Sequence, residues 1–251
     1  MPIGDKCGTG NAVQVLLLPS LPGDSRIWRQ VQQLAPPTIC VSLFDYPGTG
    51  GASGPRASDL AALELDIDDA VRHLAESGPV RIAGASAGAY FAARACTRVS
   101  NLIERLVLCS GFVELGADAR ALRTQLAEKL RSGELSQPSL FAQVVDGCVP
   151  PAERSDHVET VLREQFVSEP LQSLATALDL ATWCTEPVPT YSTRATLFHG
   201  GSDAFVPVEA SKALALLGER SRLDILETSS HYLPLSHSGF IARAIFDSEG
   251  G

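Results

Sequence analysis

The segment of this 251-residue chain that most clearly could do chemistry is a serine between two glycines, Gly84-Ala85-Ser86-Ala87-Gly88. It follows the apolar run Val80-Arg81-Ile82-Ala83 and leads into the small residues Ala89, Ala92, Ala93 and Ala95, so it reads as a strand, a sharp turn and a helix. A serine on such a turn is held in a strained backbone conformation, and the flanking glycines let neighbouring chain approach. The free N–H groups and positive dipole end of the following helix then face the hydroxyl and favour negative charge that develops beside it. A serine hydroxyl is a weak nucleophile near neutrality and needs a neighbouring base. The candidates are the five histidines, His73, His157, His199, His231 and His237. They show no His-Glu-x-x-His or other ligand spacing, so a zinc site is not expected.

The elements that must position Ser86 follow from periodicity. Val13–Leu18, Thr38–Phe44, Val80–Ala83, Arg105–Cys109, Ala195–Phe198 and Leu223–Leu226 are short apolar runs bounded by turn residues, as expected of buried strands. Ser58–Glu76 has helical spacing at Leu60, Leu63, Ile67, Val71 and Leu74, with Ser58 as the expected N-cap and Gly78-Pro79 as the stop. Strands alternating with helices predict an α/β fold, a mainly parallel sheet covered on both faces. The alternation stops between Val113 and Thr190. Helices are expected there at Ala117–Arg131, Ser139–Gly147, Ala152–Val167 and Leu171–Trp183, separated by prolines. This predicts a core domain of residues 1–112 and 191–251, with residues 113–190 inserted as a helical cap.

Taken with four further segments, the serine turn resembles the α/β-hydrolase fold family. Leu16 to Trp28 resembles that family's oxyanion loop, and Asp45-Tyr46-Pro47-Gly48-Thr49-Gly50-Gly51-Ala52-Ser53 its D-x-P-G-x-G-x-S turn. His199-Gly200-Gly201-Ser202-Asp203-Ala204-Phe205-Val206-Pro207 resembles the turn that carries the acid, and Ser230-His231-Tyr232-Leu233-Pro234 lies where the family places its histidine. The resemblance spans about Val13 to Phe246. It implies a triad of Ser86, Asp203 and His231, in the chain order of this fold, with the backbone N–H groups of Leu21 and Ala87 as the oxyanion hole. His237 is the main rival to His231, and Glu114 the main rival to Asp203. His199 is expected to hold the Asp203 turn, and His73 to face solvent. Two departures stand out: Pro19-Ser20 occupies the place of the family's usual His-Gly, and only about a dozen residues precede the first strand, so the antiparallel strands that often open this fold are expected to be reduced or missing. Serine at the turn speaks against the dehalogenase and epoxide hydrolase relatives, which carry aspartate there.

Composition narrows the function further. With 20 basic against 29 acidic side chains the net charge is −9, which excludes the basic footprint of a nucleic-acid partner. Gly48 to Gly54 lacks the G-x-G-x-x-G spacing of a dinucleotide site, and no phosphate-binding G-x-x-x-x-G-K-[ST] occurs. No apolar run is long enough for a signal peptide or a membrane span, and six cysteines without paired spacing are expected to be reduced, so a cytoplasmic protein is expected. The resemblance implies a serine-dependent hydrolase with no cofactor or metal, acting on a small acyl substrate, an ester or thioester, in the manner of small carboxylesterases that include those cleaving pimeloyl carrier-protein methyl esters. The alternatives are an acyltransferase or lyase on the same fold, or a non-catalytic ligand-binding protein. Arg120, Arg123, Arg131, Arg154 and Arg163 could meet a substrate carboxylate or a carrier protein presenting the substrate, although a solvated face balancing nearby glutamates is the expected reading. Leu140, Phe141, Val144, Val145, Phe166, Leu174, Leu178 and Trp183 form apolar stripes, of which about a third are expected to line the site.

Overall fold

A computed structural model describes residues 12–52 and 57–247; Ser53, read above, and Cys7, one of the six cysteines, lie outside them. Six strands form one sheet in the order β2-β1-β3-β4-β5-β6. They are β1 (Val13–Leu18), β2 (Ile39–Leu43), β3 (Val80–Ala85), β4 (Ile103–Cys109), β5 (Arg194–Gly200) and β6 (Ser221–Leu226). Each overlaps an apolar run expected to form a strand. Every pairing among the described strands is parallel. Strand β2 lies to one side of β1 and β3 to the other, so the chain reverses direction across the sheet between β1 and β3. In open α/β sheets the crevice beyond the carboxyl ends of the strands at such a reversal is where ligands bind.

Helices α1 (Arg29–Gln33), α2 (Leu60–Ala75) and α3 (Ala87–Arg98) belong to the first half of the fold. Side chains alternate along the strands into two cores. Leu16, Leu18, Ile82, Leu106 and Leu108 pack with residues of α2 and α3 on one face, whereas Val15, Leu17, Ala83 and Val107 pack with Trp28 and the C-terminal helix on the other. A sheet buried on both faces accounts for the near-continuous apolar strands. Helix α2 is capped by Asp59, not by Ser58. The Asp59 carboxylate accepts the Ala62 N–H at 2.8 Å, and the Ser58 hydroxyl turns to the same carboxylate at 3.1 Å. A carboxylate at the cap also meets the positive end of the helix, which a hydroxyl does less well.

Between β4 and β5 the chain forms α4 (Ala117–Ser132), α5 (Gln137–Cys148), α6 (Asp156–Arg163) and α7 (Leu171–Ala181). The stretch expected as one helix over Ala152–Val167 is broken. A 3₁₀ turn covers Pro151–Glu153, Ser155 caps α6 by accepting the Val158 N–H, and Glu164–Ser168 forms a wider π-helical turn. Pro150-Pro151 prevents an earlier helix start, and the π turn buries both Gln165 and Phe166. After β5 come α8 (Val208–Leu216), α9 (Leu233–Ser236) and α10 (Ser238–Phe246), the last packed against α1 and β4.

The expectation of six reduced cysteines is corrected. Cys96, Cys109, Cys148 and Cys184 are free thiols, but Cys40 is disulfide-bonded, with its partner outside the described residues. Cys40 lies on β2, an edge strand of the sheet among the described residues. A disulfide withdraws the support that the cysteines lent to a reducing compartment. Among the described residues no helix is long and apolar enough to cross a membrane.

Candidate active site

Strand β3 delivers Ser86 to the reversal point, and the first turn of α3 begins immediately after it. Ser86 has φ +54° and ψ −115°, a left-handed conformation that a non-glycine residue adopts only when its surroundings enforce it. Two constraints do so. The Ser86 N–H donates to the Cys109 carbonyl on β4 at 2.8 Å, and the turn is so tight that a Cβ on Gly84 would lie 2.2 Å from the Gly88 carbonyl oxygen. Gly88 in turn lies against the end of β1, where an added Cβ would be 2.3 Å from the Leu18 carbonyl oxygen. The glycines are therefore required by close backbone approach.

The loop after β1 runs alongside. Its carbonyls are held from behind, Leu18 by the Trp28 indole N–H at 3.0 Å and Pro19 by the Tyr46 hydroxyl at 2.9 Å. Ala87 follows Ser86 in the chain and Leu21 lines the same cavity, and among the described residues neither backbone N–H has a hydrogen-bond acceptor. Pro19-Ser20 leaves this loop intact. Two aromatic side chains supply the anchoring.

Asp203 sits in the turn after β5 and His231 in the loop after β6. One Asp203 oxygen meets His231 Nδ1 at 2.7 Å, and the other accepts the N–H groups of Phe205 and Val206 at 2.8 and 3.0 Å. Burial pushes the Asp203 carboxyl up, but the neighbouring His231 and the two backbone donors outweigh it and bring its pKa down to about 2. Asp203 is therefore an anion that orients the imidazole. The His231 ring is also packed edge-on by Phe205 and Tyr232, at 5.1 and 5.5 Å between centroids. Ser86 and His231 open onto one cavity of about 240 Å³, together with Ser20 and Leu21 of the loop after β1. The walls are mainly residues of the helical segment between β4 and β5, with Leu140 and Val144 from α5, Phe166 from the π turn and Leu178 from α7. Of the eight apolar stripe residues these four line the cavity, and Phe141, Val145, Leu174 and Trp183 do not. Leu122 and Leu126 of α4 line it as well.

The other candidates go elsewhere. His199 is fully buried behind Asp203, paired with the Ser211 hydroxyl at 2.8 Å and the Val206 carbonyl at 3.1 Å, and burial lowers its pKa. It braces the acid turn. His73 and His157 are exposed, and Glu114 is exposed and apart from the cavity. His237 pairs with the Ser229 hydroxyl at 2.6 Å and with Glu153 of the cap at 3.2 Å. The same Glu153 carboxylate accepts the Ser230 N–H at 3.1 Å and the Ser230 hydroxyl. Glu153 thus ties the helical segment between β4 and β5 to the residue preceding His231. Across the site, Arg26 bonds to Asp24, to Glu169 and to the Glu164 carbonyl at 2.9 Å, while the Gln165 amide donates to the Asp24 carbonyl at 3.0 Å. None of Glu153, Arg26 or Gln165 stands out in the sequence, because each acts through a partner distant along the chain. Among the described residues no group of three His, Cys, Asp or Glu side chains could hold a metal ion.

The model of the alpha/beta hydrolase family matches residues 15–244. The chain belongs to that family. This alpha/beta hydrolase shares its fold with an esterase from Exiguobacterium antarcticum (TM-score 0.78, 17% identity, 94% of this chain and 91% of that one). A thermophilic esterase from Thermogutta terrifontis superposes with a TM-score of 0.77 at 22% identity, over 94% of this chain and 89% of that one. An enol-lactonase from Burkholderia xenovorans gives a TM-score of 0.79 at 20% identity, over 94% and 90%. At such identities the likeness speaks for the fold alone. No curated protein matches the sequence.

Proposed function

We propose that the protein is a serine hydrolase that cleaves a small ester or thioester through an acyl-enzyme on Ser86. The observation that carries this reading is Ser86 on its strained turn, opening onto the same cavity as an imidazole whose Nδ1 is fixed by the ionised Asp203. Fixing Nδ1 leaves Nε2 as the proton acceptor. In the acylation step the Ser86 oxygen bonds to the acyl carbon and its proton passes to His231 Nε2. The carbonyl oxygen becomes an oxyanion between the Leu21 and Ala87 N–H groups, at the positive end of α3. Collapse breaks the bond to the leaving group, which takes the proton from His231. A water molecule, deprotonated by the same nitrogen, then attacks the acyl carbon; the bond to Ser86 breaks, its oxygen takes the proton back from His231, and the acid is freed.

The esterase and enol-lactonase activities of the structural neighbours agree with this chemistry, and the cavity volume suits a small acyl group. A series of p-nitrophenyl esters from acetate to decanoate tests it. Turnover is expected to peak at a short or medium chain and to vanish in Ser86→Ala. A Ser86→Ala protein that turns the esters over like the parent would remove Ser86 from the chemistry.

A further inference from the structure

One wall of the cavity carries a cation. Arg123, on α4, lines the same space as Ser86 and His231 and is partly buried. Its one hydrogen bond among the described residues goes to its own helix, from Nη1 to the Ala119 carbonyl at 2.9 Å. Three other arginines have carboxylate partners: Arg26 has Asp24 and Glu169, Arg94 has Glu64 and Glu186, and Arg98 has Asp68 and Glu64; Arg105, also buried, lies outside the cavity and donates to the Ala244 and Asp247 carbonyls. Arg123 has no carboxylate within reach among the described residues. Its electrostatic neighbours are the Cys184 thiol and the Tyr232 hydroxyl, which burial holds in their neutral forms.

A guanidinium keeps its charge in any protein environment, and a charge withdrawn from water without a partner is costly. Burial does lower the pKa of Arg123, with Cys184 and Tyr232 opposing that fall only in part. The rest of the cavity wall is mostly apolar, so Arg123 is the charged group in it that the triad does not use. The Ser20 hydroxyl, on the same cavity, is also buried without a hydrogen-bond partner. The chain carries a net charge of −9 and repels anions at long range, so attraction for an anion has to be made locally.

We propose that the substrate carries an ionised carboxylate in addition to the bond that is cleaved, and that this carboxylate lies on Arg123. The assignment rests on the hydrolase reading for which bond is broken, but not for what the cavity holds. Arg123 is then a specificity residue. Its planar fork matches a carboxylate with two parallel hydrogen bonds, which a lysine cannot reproduce.

Binding and turnover separate the two claims. In the Ser86→Ala protein, isothermal titration with monomethyl adipate and with dimethyl adipate compares an anionic with a neutral ester of nearly the same shape. The monoester is expected to bind about 10- to 100-fold tighter, the range of a charge-assisted hydrogen bond, and Arg123→Met added to Ser86→Ala should erase the difference. Arg123→Lys should keep part of it, which guards against reading a misfolded Met variant as support. In the parent protein, kcat/KM for mono-p-nitrophenyl adipate over p-nitrophenyl hexanoate, and for 4-acetoxybenzoate over phenyl acetate, should favour the anion in at least one pair. Equal or tighter binding of dimethyl adipate, together with no anion preference in either pair, overturns the assignment and leaves the hydrolase standing. Anion-selective binding that depends on Arg123, with no turnover of any ester, supports the assignment and removes the hydrolase reading.

Discussion

The two sides of the cavity are built by different means. On the sheet side, backbone holds the site: Ser86 hangs from the Cys109 carbonyl, Gly88 presses on Leu18, and Trp28 and Tyr46 clamp the carbonyls of the loop after β1. On the cap side, side chains hold it. Arg26 to Glu169, Gln165 to Asp24 and Glu153 to Ser230 carry the contact. Backbone constraints fix reacting atoms to fractions of an ångström and admit few alternatives. Each polar side-chain contact contributes only about 1 kcal/mol net, so these contacts hold their elements less rigidly than the backbone holds the serine turn. The contrast separates a serine turn fixed by backbone from a helical wall fixed by side chains.

Breaking the sheet side should be expensive. The largest effect is expected from Asp203→Asn, which keeps the shape but supplies the wrong hydrogen-bonding pattern to His231. It should lower kcat by about 10³- to 10⁴-fold with little change in KM, measured by steady-state ester kinetics. Next comes Gly88→Ala. Its Cβ would stand 2.3 Å from a main-chain oxygen that no rotamer can move. A loss of about 3 kcal/mol is expected, or roughly 6–12 °C in Tm by thermal melting, along with a disturbed serine turn.

A pH experiment reads the same side without a mutation. The folded pKa of Asp203, about 2, lies under its ordinary value of 3.8, so the ionised form stabilises the fold. That stabilisation is complete above about pH 4 and disappears as the pH falls through 2. The side chain is fully buried, and the shift corresponds to about 2 kcal/mol. Urea unfolding at pH 5 and pH 2.5 should show a larger acid-induced loss in the parent than in Asp203→Asn. Equal losses would deny that the Asp203–His231 contact persists in solution.

The smallest effect belongs to the cap side. Glu153→Gln keeps the volume but replaces charge-assisted hydrogen bonds to Ser230 and His237 with neutral ones, for a loss of about 1–2 kcal/mol, or roughly 2–8 °C in Tm. Fluorophosphonate labelling should persist at a rate reduced by about tenfold or less. A loss as deep as that of Asp203→Asn would collapse the distinction between the two sides and make Glu153 part of the chemistry.

The same distinction explains what the sequence revealed. Strands β1 to β6 and the serine turn were legible because burial on both faces and a left-handed serine leave few residue types possible. That Asp203 and His231 meet could be expected from the resemblance, because short turns of fixed composition carry them. Helix α2 was legible, but its cap fell one residue away, since Ser58 and Asp59 are both good caps and only their contacts decide. The break at Ser155 and the π turn after α6 were not legible, because Gln165 and Phe166 are drawn inward by Asp24 and the cavity rather than by local preference. Arg123 shares its residue type and helical setting with arginines that behave otherwise. Arg131 pairs with Asp179, Arg154 with Asp146, and Arg163 lies over the Phe141 ring at 4.5 Å. Only three-dimensional placement separates Arg123 from them.

The central claim is that Ser86 forms the covalent bond, and intact-protein mass spectrometry after incubation with a fluorophosphonate tests it most directly. A single adduct is expected, mapped by peptide sequencing to the peptide containing Ser86, in the parent protein and in Glu153→Gln, and none in Ser86→Ala. An adduct of equal yield in folded Ser86→Ala, or one mapped to another side chain of the parent, would contradict it.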